Sequence, residues 1–413
     1  MRLLLRGGVV IDTEPDVVAR RADVLIEDGR IAAVGPELIV DTSDVEVIDA
    51  SERIVLPGFV DTHRHLWQTA LRGVTVDDDL GTYFERVLSS YGSKFRPEDV
   101  AAGNLMGALE CLDAGITTVQ DYSHVQSSPA HADAALDALE RSGIRAVFGY
   151  GPSPLSGGAV DADGMRRIMD RRSERIGLAV AAIGPSFTSF ETVGADWELA
   201  DSLGVPVVVH ISSSSQIPDP ITRLRDAGLL RPNTLYVHGN RLPDSELKLI
   251  AESGASVSTT PTVEARMEMG EPLAGRLRAA GVNVSLGIDV VTSAGGNMFT
   301  AMHELLALGY KTFTAADVLR IATIGGARAL GLTDVGSLAV GNRADLMMLR
   351  HTDINLAGGL HDPIATVVTA AHPGNVDTVL VGGTPVKRDG KLISTSLPAA
   401  YEALAESTAY LTA

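Results

Sequence analysis

Five times between residues 115 and 286 the chain repeats one phrase: a helix-like stretch stops at a glycine, and a short β-branched run follows. The glycines are Gly115, Gly143, Gly204, Gly254 and Gly281, and the runs are 116–119, 144–147, 205–209, 255–258 and 282–286. Glycine ends a helix at little cost because it accepts the left-handed conformation just past the last turn. A β-branched run after it reads as a buried parallel strand. Segments 55–62, 177–183 and 234–237 fit the same rhythm, giving eight strands with intervening helices. That count and order predict an α/β chain with a (β/α)8 TIM-like barrel over residues 57–336. A doubly wound open sheet is the competing arrangement.

The two chain ends read differently. Runs such as Leu3-Leu4-Leu5-Arg6-Gly7-Gly8 and Val379-Leu380-Val381-Gly382-Gly383 are short strands with glycine turns. Neither end has enough strands for its own core, so residues 1–56 and 337–395 are expected to pair into one small composite β-sandwich. Residues 396–413 hold a C-terminal helix over 399–411. The composition, 45% hydrophobic and 21% charged over 413 residues, suits a globular chain with a sizeable core. Its net charge of −18 repels phosphate backbones and anionic membranes, which argues against nucleic acid and membrane partners. The single cysteine, Cys111, excludes an intrachain disulfide and a multi-cysteine zinc site. Arg2 and Arg6 bracket only three leucines, too few for a signal-peptide core, so a cytoplasmic location is expected. A homodimer is expected only from how common twofold assemblies are.

In such barrels, function gathers at the C-terminal ends of the strands. Strand one ends in Asp61-Thr62-His63-Arg64-His65, so strand alternation puts His63 and His65 on one side and Arg64 on the other. Two imidazoles at i and i+2 can chelate one divalent ion. Strand five ends at His210, strand six at His238 and strand eight at Asp289. His124, just past strand two, is a further pocket candidate, as are Trp67, Gln68 and Tyr122 by position.

The run Leu56-Pro57-Gly58-Phe59-Val60-Asp61-Thr62-His63-Arg64-His65-Leu66 resembles the first-strand motif of the amidohydrolase superfamily. Leu235-Tyr236-Val237-His238, Leu286-Gly287-Ile288-Asp289 and the C-terminal Gly341-Asn342-Arg343-Ala344-Asp345-Leu346 are similar to the group holding cytosine, guanine and S-adenosylhomocysteine deaminases and triazine hydrolases. The resemblance implies one catalytic metal held by His63, His65, His210 and Asp289, with His238 beside it. It implies that Asp289 takes the proton of a metal-activated water and that His238 steadies the developing oxyanion or orients the nucleophile. Binuclear members bridge two metals with a lysine at the end of strand four, and segment 177–183 has none, so one metal is expected. Zinc is the default for imidazoles plus a carboxylate, and iron suits the same ligands.

Two places depart from that group. The deaminases carry a glutamate three residues after the strand-five histidine, where this chain has Ser213. After strand seven stands Thr260-Pro261-Thr262-Val263-Glu264-Ala265-Arg266 in place of an Asn-Pro-x-Ser-Asn run. Glu264 is therefore expected either to supply the displaced acid or to bind a cationic part of the substrate. The plainer alternatives are a solvated surface charge or an ion pair with Arg266. The expected activity is hydrolysis of a C–N bond in a small molecule, foremost deamination of an aminated heterocycle. Cleavage of a cyclic amide or of another C–N or C–halogen bond is the alternative, as is a metal-binding scaffold that has lost catalysis.

Overall fold

The computed structural model describes residues 2–212, 218–309, 312–393 and 397–413. Eight parallel strands form one sheet in sequence order: Phe59–Arg64, Ile116–Ser123, Arg145–Tyr150, Ile176–Ala182, Val207–Ile211, Thr234–His238, Ser256–Thr259 and Asn283–Leu286. They are called barrel strands 1 to 8 below. The ring closes between strand 1 and the residues just past strand 8. Ile288 N–H and Asp289 N–H both donate to the His63 carbonyl, at 3.1 and 2.7 Å, and His65 N–H donates to the Asp289 carbonyl at 3.0 Å. The open doubly wound sheet is thereby excluded.

The repeated glycines do what the sequence assigns to them. Gly115, Gly143, Gly204, Gly254 and Gly281 have φ between 62° and 83°, and each precedes a barrel strand. Along the strands, side chains alternate between two cores. Val147, Ala179, Val208, Leu235 and Val237 point inward, where Ile324, Ala327 and Leu330 plug the end away from the strand C-termini. Phe148, Leu178, Val180, Val209 and Tyr236 point outward into the helical layer.

The chain ends meet in a nine-stranded sheet. Leu346–Arg350 pairs antiparallel with Arg53–Pro57, which joins the C-terminal strands to the N-terminal ones. One face, with Leu3, Leu5, Val24, Ile26, Leu346 and Met348, encloses its own core. The other, with Val9, Ile54, Met347 and Leu349, packs into the barrel's helical layer. Arg145 on barrel strand 3 clamps this sheet to the barrel, with Nε 2.7 Å and Nη2 3.1 Å from the two carboxylate oxygens of buried Asp345.

The segment expected as one strand, 55–62, is split between the two sheets. Arg53–Pro57 belongs to the end sheet and Phe59–Arg64 to the barrel. Gly58 is the crossing point: a Cβ there would lie 2.1 Å from the Thr117 hydroxyl oxygen, so only glycine lets the chain pass. The final helix, Leu397–Leu411, lies on the helix Pro97–Asp113, and its Thr408 hydroxyl donates to the Ala70 carbonyl at 2.9 Å. Among the described residues no helix is long and apolar enough to cross a membrane.

Candidate metal centre and active site

Strand parity alone would not bring His63 inside. Val60 packs in the barrel interior, and the Thr62 hydroxyl bonds Ser258, Ser285 and the Leu286 carbonyl there. On a regular strand His63 would then face outward. A register shift between Asp61 and Arg64 relative to strand 2 re-aims it. The outcome is the expected split: His63 and His65 converge, while Arg64 runs the other way to Glu110 and the Gly296 carbonyl.

His238 has the same parity problem, since Leu235 and Val237 point inward. Its φ of +64°, and +69° at Asp289, end their strands in the left-handed region and swing both side chains over the barrel mouth. A non-glycine residue there costs on the order of 1–2 kcal/mol, a strain that clusters at functional sites.

The five side chains converge to contacts of 3.2–3.6 Å. His63 Nε2 and His65 Nε2 each lie 3.3 Å from Asp289 Oδ1. His210 Nε2 is 3.2 Å from His63 Nε2, and His238 Nε2 is 3.6 Å from Asp289 Oδ2. Four donors at 2.0–2.1 Å around a tetrahedral ion stand about 3.3–3.4 Å from one another. The contacts of Asp289 with His63 and His65, and of His63 with His210, have that spacing, and the residues form two candidate metal-binding groups that share His63: His63, His65 and Asp289, and His63, His210 and His238. His65 Nδ1 is 2.9 Å from the Tyr122 carbonyl, the contact that fixes a metal-ready histidine with its Nε2 lone pair inward.

The electrostatics agree. Burial pushes the His63 imidazole down to about 4 despite the Asp289 carboxylate beside it. Burial and the neighbouring histidines hold His210 well below its usual value. Both rings are therefore neutral ligands near neutral pH. Asp289 is buried, which favours its protonated form, but the imidazoles of His63 and His65 beside it outweigh this and hold it well below the carboxylate range. His238 is the exception: burial disfavours its charge, yet Glu264 and Asp289 together raise it.

A cavity of about 270 Å³ opens over this cluster. His65, His210, His238 and Asp289 form its floor, and Tyr122 and His124 stand at its side. Its upper wall is apolar, with Leu80, Phe84, Leu155, Phe187, Met267 and Met269. Among the described residues Asp289 is the only carboxylate that lines it. Tyr122 presents its ring, since its hydroxyl is spent on the Ala182 carbonyl at 2.6 Å. Trp67 and Gln68 do not reach the wall. They sit on a fully buried single-turn segment, Leu66–Leu71, that carries them behind it. There Trp67 packs edge-on against His124 and Phe95, and the Gln68 amide donates to the Tyr83 hydroxyl at 2.7 Å. Tyr83 itself lines the cavity and was not singled out from sequence, as were none of the apolar wall residues.

Glu264 is neither a solvated charge nor the partner of Arg266, which reaches the Val76 carbonyl instead. It is 4% exposed on the short helix Pro261–Arg266, directly behind His238. Ser213 lies outside the described residues.

Comparisons with known proteins bear on the family and the fold. The model of the amidohydrolase family matches residues 54–386. The chain is 31% identical to a 5'-deoxyadenosine deaminase of Methanothermobacter thermautotrophicus, with 94% of each chain covered. It is 30% identical to a 5-methylthioadenosine/S-adenosylhomocysteine deaminase of Symbiobacterium thermophilum, again over 94% of each. Among solved structures, an adenosine deaminase from Xanthomonas campestris with bound zinc superposes with a TM-score of 0.89 at 26% identity, covering 99% of this chain and 98% of that one. An atrazine chlorohydrolase from Arthrobacter aurescens, crystallised as a mutant with zinc and atraton, shares the fold at a TM-score of 0.87 and 23% identity, covering 99% of this chain and all of that one. With a family model spanning most of its length and a ligand cluster at the mouth of its barrel, the chain belongs to the amidohydrolase family of metal-dependent hydrolases.

Proposed function

We propose that this protein deaminates an aminated heterocycle, with one zinc ion held by His63, His65, His210 and Asp289. The observation that carries this reading is the convergence of three imidazoles and a carboxylate, with contacts of 3.2–3.3 Å from Asp289 to His63 and His65 and from His63 to His210, under a cavity sized for a small molecule. When bound, such an ion supplies the Lewis acidity that brings the pKa of water from 15.7 to about 7.

The chain's own groups do the rest. Asp289 Oδ2 is free of the Oδ1 contacts to His63 and His65 and faces His238 Nε2, so it is the oxygen that takes a proton from an attacking water. His238 Nε2, 3.6 Å away, orients the same water. Tyr122 and the apolar wall exclude bulk water and hold a flat ring, and His124 faces one edge of it. The deaminase relatives and the apolar wall together favour a purine carrying an apolar substituent.

The test is metal analysis of purified protein, followed by ammonia release from 5'-deoxyadenosine, 5'-methylthioadenosine, guanine, cytosine, an aminopterin and an aminotriazine. About one zinc per chain with release from at least one of these supports the reading. Metal-loaded, folded protein that releases ammonia from none of them overturns it.

A further inference from the structure

Glu264 does not line the cavity, yet from behind it holds His238, the one floor histidine that the proposed function does not use as a metal ligand. Its Oε1 lies 3.3 Å from His238 Nδ1 and accepts the Thr260 N–H at 2.8 Å, while its Oε2 accepts from the Asn240 amide at 3.1 Å. All four residues are buried. We propose that Glu264 is the positioning residue of His238: it fixes that ring's rotation and keeps its proton on Nδ1.

This rests on the deaminase reading for its catalytic consequence, but not for its geometry. A carboxylate accepts and does not donate. Facing one, the imidazole keeps a hydrogen on Nδ1 whether it is charged or neutral, and in the neutral form this leaves the Nε2 lone pair aimed at the cavity. His238 Nε2 and Asp289 Oδ2 then become two acceptors 3.6 Å apart, a pair that converges on one water from two sides. With the hydrogen on Nε2 instead, Nε2–H would point at Asp289 and compete with that water. The Thr260 hydroxyl, 3.3 Å from Nδ1, can donate or accept and so does not select a tautomer by itself. The carboxylate does.

The same geometry separates two substitutions. In Glu264→Gln the amide oxygen can stay on Thr260 N–H and His238 Nδ1. The amide nitrogen then faces Asn240, whose Oδ1 is buried without a partner and can turn to accept it. Glu264→Ala leaves Nδ1 with the threonine hydroxyl alone. In an enzyme active on any substrate of the panel, Glu264→Ala should lower kcat about 100-fold or more, with KM and zinc content within twofold of wild type. Glu264→Gln should restore most of that loss. Because Glu264 acts through His238, adding Glu264→Ala to His238→Ala should cost less than threefold further.

A helix-capping role alone would instead lower the melting temperature in both backgrounds and leave the kcat cost additive. Nitrogen-15 spectra of histidine-labelled protein, with and without zinc, give a readout that needs no turnover. They should show His238 protonated on Nδ1 in wild type and in Glu264→Gln, and a shift toward Nε2–H in Glu264→Ala. Nε2–H in wild type, or an unchanged His238 signal in Glu264→Ala, overturns the proposal even if the deaminase reading stands. Correct tautomers in a protein without turnover would leave it intact while the deaminase reading fails.

Discussion

Gly287 sits where strand 8 closes on strand 1, and replacing it tests whether the ligand cluster depends on that closure. A Cβ built there lies 2.9 Å from His63 Cβ, 2.9 Å from its N and 2.9 Å from its carbonyl oxygen. Ordinary contact begins near 3.4 Å, so the two strands would have to separate by about 0.5 Å. None of the three atoms belongs to a flexible side-chain end. His63 N–H is also held by Asp61 Oδ1, and its carbonyl by Ile288 and Asp289. Overpacking of this kind costs about 1–3 kcal/mol. A half-ångström shift also exceeds the roughly 0.2 Å tolerance of a metal–ligand distance. Gly287→Ala should therefore weaken zinc binding about 10- to 100-fold and lower the urea midpoint of the metal-free protein. Competition with a fluorescent zinc chelator and urea unfolding followed by circular dichroism read the two effects. Gly194→Ala is the control: it lies in the helix Phe190–Leu203 with nothing within 4 Å of its Cβ, and should stabilise by about 0.5–1 kcal/mol. Wild-type zinc affinity in Gly287→Ala would refute the reasoning.

Two further outcomes follow from buried charges. Burial raises the Asp121 carboxyl to about 7, against the bonds from Leu66 N–H and Asn104 and the charge of Arg64. The folded state thus keeps a proton that the unfolded chain releases near pH 3.9. This contribution to stability is complete below about pH 4 and is lost as pH rises through 7. Asp121→Asn should gain on wild type by up to about 3 kcal/mol between pH 5 and 8; parallel urea curves at the two pH values would contradict this. Arg145→Ala strips the guanidinium from Asp345, which is 1% exposed, and should cost about 3–5 kcal/mol. A loss below 1 kcal/mol in urea unfolding would show that the clamp between barrel and end sheet contributes nothing.

What could be read from the chain alone divides along physical lines. The barrel was legible because its helix stops are chemical: glycine at a left-handed position leaves a mark at each repeat. The pairing of the chain ends was legible because neither end could bury its strands alone. The ligand cluster was legible in identity but not in aim. Alternation correctly sets His63 and His65 against Arg64, but only the register shift at 61–64 and the left-handed turn at His238 decide which side is the interior. Backbone irregularities of that kind leave no composition signal. The domain boundary expected at 56/57 lies beside the crossing, but 55–62 reads as one strand because 54–60 carries no polar residue, and only the nearness of Thr117 shows why the chain must bend at Gly58. Glu264 drew notice as a displaced carboxylate, but its partner His238 is distant in sequence and no periodicity connects them. The apolar wall comes from loops and short turns that share no period, so Met267, Phe187 and Leu80 had nothing to set them apart.

The barrel's seam and its reactive centre are made of the same residues. Across the join the Asp289 N–H donates to the His63 carbonyl and the Asp289 carbonyl accepts from His65 N–H, while the side chains of Asp289 and His63 face each other at 3.3 Å. Any ion gripped there laces the first staves of the cask to the last, and the ring cannot part along this line without dropping its cargo. Loss of the ion should therefore register earliest as faster exchange of the amide protons of Ile288, Asp289 and His65, before any helix on the outside loosens.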